Sequence, residues 1–145
     1  MRISAKGRYA LASTIEIANH WETNEYLSTI RMSTTLGISK IYLEQTLVNL
    51  KNAGVLISTK GHGGGYRLGR EPDLISVWDV LITVESSLCE NAETNVESEN
   101  VKKALTHAFN ELDKAVEDVL KGMSIKELLK ISRSNNDDMF FMLHM

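Results

Sequence analysis

Apolar side chains recur along this chain at intervals that change from segment to segment, and the changes mark out its elements. Between Lys6 and His20, residues Tyr9, Leu11, Ala12, Ile15 and Ala18 fall at mixed three- and four-residue steps, the repeat of an amphipathic helix, with Ser4 placed to cap it. Leu27, Ile30 and Leu36 predict a second, short helix that Gly37 interrupts. Ser39 then stands as N-cap of a third helix from about Lys40 to Ala53, with Gly54 at its C′ position. At 100° per residue Leu43, Leu47 and Leu50 lie within about 60° of one another and form that helix's buried stripe. Ile41, Gln45, Val48 and Asn52 point the other way, with Tyr42, Glu44 and Asn49 on the flanks.

The period then shortens. Residues 55–59 and 66–68 are β-prone, and the linking Lys60-Gly61-His62-Gly63-Gly64-Gly65 can only turn back as a hairpin loop. Pro72 closes this unit, and Ser76 with Asp79 resembles a capping box that opens a helix to about Glu85. Residues 86–100 hold little that packs and read as an exposed connection. From there Val101, Leu105, Ala108, Leu112, Ala115 and Val119 alternate four- and three-residue steps, the signature of a helix–helix seam. A helix from Val101 through Lys121 would be about 30 Å long. Gly122 ends it, Ser124 and Glu127 form a second capping box, and the tail holds Met139 to Leu143, too apolar to leave in water and expected to pack over the long helix.

Two helices, a tight turn at Gly37-Ile38, a third helix with amides and a carboxylate on its open face, and a hairpin make the pattern of a winged helix-turn-helix. The fold class is therefore mainly α with a small β-hairpin. Residues 1–85 are expected to form the winged unit, 86–100 the connection, and 101–145 a dimerisation helix with the tail on it.

Charge sharpens this picture. The 145 residues have a net charge of −3, which alone argues for no polyanionic partner, but residues 1–70 carry nine Lys or Arg against four Glu, a net +5, and residues 71–145 a net −8. The helix Lys40–Ala53 presents Gln45, which can bond adenine bidentately, Glu44, which can accept from cytosine, and Tyr42 beside them. Arg2, Lys6, Arg8, Ser39, Lys40, Lys60 and Arg67 are placed around that face to meet phosphates. The Gly61-His62-Gly63-Gly64-Gly65-Tyr66-Arg67 stretch is a wing and no nucleotide loop, because no Gly-Lys-Ser/Thr follows and it joins two strands. No apolar run approaches the roughly 18 residues of a membrane span, and with one cysteine and no secretion-type N-terminus the expected compartment is the cytoplasm. Cys89 is either an incidental thiol or a site of oxidation, with Glu85 and Glu90 working against a reactive thiolate. His107 is expected to pack beside the seam.

The stretches MRISAKGRYAL, GISKIYLEQTLVNLKNAGVLISTKGHGGGYRLGREPDLISVWDVL and ALTHAF resemble the Rrf2 family of bacterial winged-helix transcription regulators, with YLEQ, the NAG turn and GGGYRLG in order. The resemblance covers most of residues 1–112. It implies a homodimer on a pseudo-palindromic duplex, the helix at 39–53 in the major groove, the wing at the neighbouring minor groove, Glu44 and Gln45 at base edges, and the SAKGRY segment on the DNA backbone. Ile41 stands where some members carry a more polar residue, and His62 replaces a frequent proline. Members that hold an iron–sulfur cluster carry three cysteines where this chain has Ala92, Ser98 and Ala104, so no conventional cluster, no other cofactor and no metal is expected. The reading is a sequence-specific regulator, a repressor by expectation and no enzyme, whose effector is left open among a protein, a small molecule and Cys89 oxidation. The alternative is an interaction module whose acidic helical half binds a partner enzyme.

Overall fold

A computed structural model describes residues 3–134; Arg2 and the apolar tail at 139–143 lie outside them. Helix α1 (Ala5–Ala18) is capped as expected, the Ser4 hydroxyl accepting from the Gly7 N–H at 3.1 Å. Its buried face, however, is Gly7, Ala10, Ser13, Thr14, Ile17 and Ala18, rotated from the stripe that apolar spacing predicts. The reason lies in the hydroxyls. Ser13 donates to the Tyr9 carbonyl and Thr14 to the Ala10 carbonyl, each at 2.7 Å, so both side chains enter the interior with their polar atoms satisfied.

Helix α2 (Thr29–Leu36) starts later than the apolar pattern suggests: Leu27 lies outside it, Ile30 is exposed, and Met32 is its buried residue. Gly37, at φ 66°, ends α2 in the left-handed conformation that the short turn into α3 (Lys40–Asn52) requires. Ser39 occupies the N-cap of α3 without the expected side-chain hydrogen bond. Leu43, Leu47 and Leu50 are fully buried, as their spacing dictates, and Thr46 joins them by donating to the Tyr42 carbonyl at 3.0 Å.

Strands β1 (Leu56–Thr59) and β2 (Gly65–Leu68) pair antiparallel, Leu56 opposite Leu68 and Thr59 opposite Gly65. Leu27, counted as helical from sequence, instead exchanges two main-chain bonds with Tyr66, at 2.9 and 2.8 Å. Gly65 permits this. A Cβ there would run into the Leu27 carbonyl, and its φ of 149° is one that side chains resist.

Helix α4 (Val77–Leu81) carries the capping box predicted at Ser76 and Asp79 but stops short of Glu85. Its ladder tightens to i−3 bonds at Thr83 and Val84, and a single-turn 3-10 helix (Ser86–Leu88) leads into the exposed connection. Helix α5 (Glu99–Lys121) begins two residues before Val101, capped by Ser98, and none of its residues is fully buried. Helix α6 (Ile125–Arg133) is capped by Ser124 without the reciprocal carboxylate bond; the neighbouring Ile125 N–H donates to the Ile75 carbonyl and the Val77 N–H to the Met123 carbonyl, each at 2.8 Å. Consequently α6 packs on α1 and the Pro72 turn, and Ile125 and Leu129 enter the same core as Ala10, Ile17, Leu43, Leu47, Leu50 and Leu68. Helix α6 thus shares one core with α1, α3 and β2.

Candidate nucleic-acid interface

Burying the leucine stripe of α3 leaves the opposite face in water. Ile41 is 76% and Tyr42 64% exposed, with Glu44 and Gln45 open beside them. Lys40 Nζ lies 3.5 Å from Glu44 Oε1, an i,i+4 pair at the first turn, and the Gln45 amide donates to Asn49 Oδ1 at 3.2 Å. The Tyr42 ring leans on Tyr9 of α1, centroids 6.3 Å apart, which ties the start of α3 to the start of α1. Tyr66 of β2 is close enough to Glu44 that burial first, and this carboxylate second, push its hydroxyl above the usual tyrosine range. Helices α1 and α3 and the hairpin also pack on one another, so their outer faces adjoin.

The cations around it divide into two kinds. Lys6 and Arg8 at the start of α1 and Lys60 at the wing are exposed and form no ion pair among the described residues. Arg67, expected at phosphates, is engaged elsewhere: its guanidinium sits 5.6 Å from the Trp21 ring centroid and 5.4 Å from that of Tyr26, and donates to Asn24 Oδ1 at 2.6 Å. It fastens the wing to the α1–α2 loop. The wing tip at Gly61, His62 and Gly63 is exposed, closed by a 3.0 Å bond from the Gly64 N–H to the Gly61 carbonyl.

One residue beneath this surface gave no sequence signal for its role. The Glu85 carboxylate, buried, accepts from the Ser4 N–H at 2.8 Å and the Ser4 hydroxyl at 2.5 Å, so the segment bearing Lys6 and Arg8 is held from 81 positions away. A Cβ on Gly7 would collide with that carboxylate. Only the fold brings these groups together, whereas the Tyr9–Tyr42 contact and the role of Arg67 were hidden by counting Tyr9 as core and Arg67 as a phosphate ligand.

On α5 the apolar face is about 140° wide at 100° per residue. One half, Phe109, Val116 and Leu120, is half-buried against the rest of the chain, while Val101, Leu112 and Val119 of the predicted seam are 48%, 58% and 61% exposed, Ala108 and Ala115 are exposed, and Leu105 lies between. His107 is exposed and does not pack. Cys89 is an exposed free thiol, and no three His, Cys, Asp or Glu among the described residues gather into a metal site. One thiolate per chain does not fit an iron–sulfur cluster held within the chain, and Ser98, at one of the positions where cluster-bearing members have cysteine, caps α5. No helix of the described residues is long and apolar enough to cross a membrane.

Comparison with known proteins agrees with this geometry. Residues 3–131 match the Rrf2 family, described as an iron-dependent transcriptional regulator. The HTH-type transcriptional regulator IscR of Aliivibrio salmonicida is 34% identical over 134 residues, covering 89% of this chain and 77% of that protein. Among solved structures, the global cysteine regulator CymR of B. subtilis superposes with a TM-score of 0.75 at 30% identity, over 90% of this chain and 98% of that one. T. potens IscR gives 0.73 at 27% identity, over 97% and 96%.

Proposed function

The chain belongs to the Rrf2 family of winged helix-turn-helix transcriptional regulators, and from that premise we propose that it acts as a homodimer on a pseudo-palindromic DNA operator. The observation that carries the proposal is the open face of α3, framed by Lys6, Arg8 and Lys60, cations that nothing else in the described fold neutralises. Phosphates are the natural counter-charges, and each one neutralised releases counterions, so affinity falls steeply with salt. Glu44, Gln45 and Tyr42 then lie where base edges would be, and the Glu44–Lys40 pair must reorganise for the carboxylate to accept from cytosine.

The exposed half of the α5 stripe supports the homodimer, since Val101, Leu112 and Val119 in water on one long helix call for an apolar partner. Twofold symmetry would set two copies of α3 about one DNA turn, roughly 34 Å, apart. In this reading the protein works in the cytoplasm as a repressor and not as an enzyme, and Cys89 is where oxidation would enter. Selection of binding sites from a random duplex pool, with reduced and with peroxide-treated protein, tests it. An inverted repeat with half-sites one turn apart is the expected outcome, and a pool from which no sequence emerges would overturn the proposal.

A further inference from the structure

A β-branched apolar side chain standing three-quarters in water on the first turn of a helix stabilises nothing in the fold around it. Ile41 is that residue, 76% exposed against 41% for Val48 on the same helix. Its direction is fixed by the buried stripe. At 100° per residue Ile41 lies about 40° from Gln45, 60° from Glu44 and 20° from Val48, so it shares the face of the two polar base readers. Lys40 and Glu44 pair beside it at 3.5 Å and the Tyr42 ring rests against Tyr9, so Ile41 is the most exposed aliphatic group at the helix start. In a major groove the one apolar feature offered by base edges is the C5-methyl of thymine, and the N-terminal turn of a recognition helix is the part that reaches them.

We infer that Ile41 selects thymine in the operator half-site by packing on its 5-methyl group, so that this chain reads one position by apolar contact beside the polar reading of Glu44 and Gln45. The inference rests on the regulator reading above and assigns that surface a base preference. Val48, 41% exposed and two turns further along, is the internal comparison: it lies on the same face about 10 Å down the helix axis, too far to meet the same base pair.

Deoxyuridine scanning tests this directly, because uracil differs from thymine only by the methyl group. On the duplex selected by the wild-type protein, each thymine is replaced in turn by deoxyuridine and the Kd measured for wild type, Ile41→Ala and Val48→Ala. At one thymine per half-site the wild type is expected to lose about fourfold in affinity per methyl, the worth of one buried methyl-sized group. Ile41→Ala should bind the thymine and uracil duplexes equally there, whereas Val48→Ala should keep the difference. Ile41→Ala removes no buried contact, so the variant keeps its fold. The inference is overturned if no thymine shows a methyl effect, or if the effect survives in Ile41→Ala, and either result leaves the selected operator and the regulator reading standing. Failure of the wild type to select any sequence would overturn that reading itself, and this inference with it.

Discussion

Helices α3 and α5 both leave an apolar residue or more in water, yet they do so in opposite ways. Helix α3 drives Leu43, Thr46, Leu47 and Leu50 wholly into the core and keeps a mixed outer face of amide, carboxylate, phenol and isoleucine, while the adjoining α1 and hairpin carry the exposed cations Lys6, Arg8 and Lys60. Helix α5 buries nothing fully, and its outer face is valine, leucine and alanine, with the ion pairs Lys114–Asp118 and Lys121–Glu117 elsewhere around the helix. A face with free cations beside hydrogen-bonding groups suits a hydrated anionic groove; an aliphatic face along one long helix suits another such face.

The comparison can be broken most sharply at α5. Leu112→Glu with Val119→Glu is expected to halve the mass in light scattering and to lower operator affinity about a hundredfold or more, because two linked half-site contacts become one. Unchanged mass with unchanged affinity would strip the α5 face of its role. On α3, Gln45→Ala should cost the matched operator about tenfold while leaving scrambled duplexes bound as before. Equal loss on both would reduce that face to a phosphate binder. A smaller effect, about threefold and uniform over sequences, is expected for Arg8→Ala, with the slope of log affinity against log salt falling by about 1; a sequence-dependent loss would contradict its placement at the backbone.

The last prediction reaches the support beneath α5. Burial works to raise the Asp79 carboxyl, but the Ser76 backbone and hydroxyl bonds and then Arg70, 3.0 Å away, outweigh it and hold the group below the usual aspartate range. A depressed folded-state pKa stabilises the fold above the unfolded aspartate pKa, and that contribution is lost as pH falls through the folded one. Asp79→Asn keeps an acceptor for the Ser76 N–H but removes the charge that faces Arg70 and the α4 N-terminus, so it is expected to cost about 0.5 kcal/mol at pH 7 and to narrow the gap to wild type as the medium is acidified below pH of about 4. A gap independent of pH would show that the carboxylate's charge contributes nothing.

How far the residues foretold this follows from the range of the interactions. Gly37, the Leu43–Leu47–Leu50 stripe and the glycine-rich hairpin were legible because each is decided within a turn or two of helix or one loop. The face of α1 was misread because Ser13 and Thr14 count as polar until their hydroxyls are seen returning to the preceding turn. Placing α6 and the Glu85–Ser4 contact required pairings across 48 and 81 positions, for which a single sequence carries no periodic signal. Arg67 was recognised as belonging to the wing but not as its clasp, since its partners Trp21, Asn24 and Tyr26 come from the loop after α1.

That clasp, with the paired main-chain bonds between Leu27 and Tyr66, holds the hairpin through β2 and uses none of the side chains of the turn at its tip. Lys60 and His62 can therefore be exchanged for other side chains without moving the arm that carries them. Groove preference at the tip and the posture of the arm are separately adjustable, which gives evolution, or an engineer, a contact to retune without rebuilding its mount.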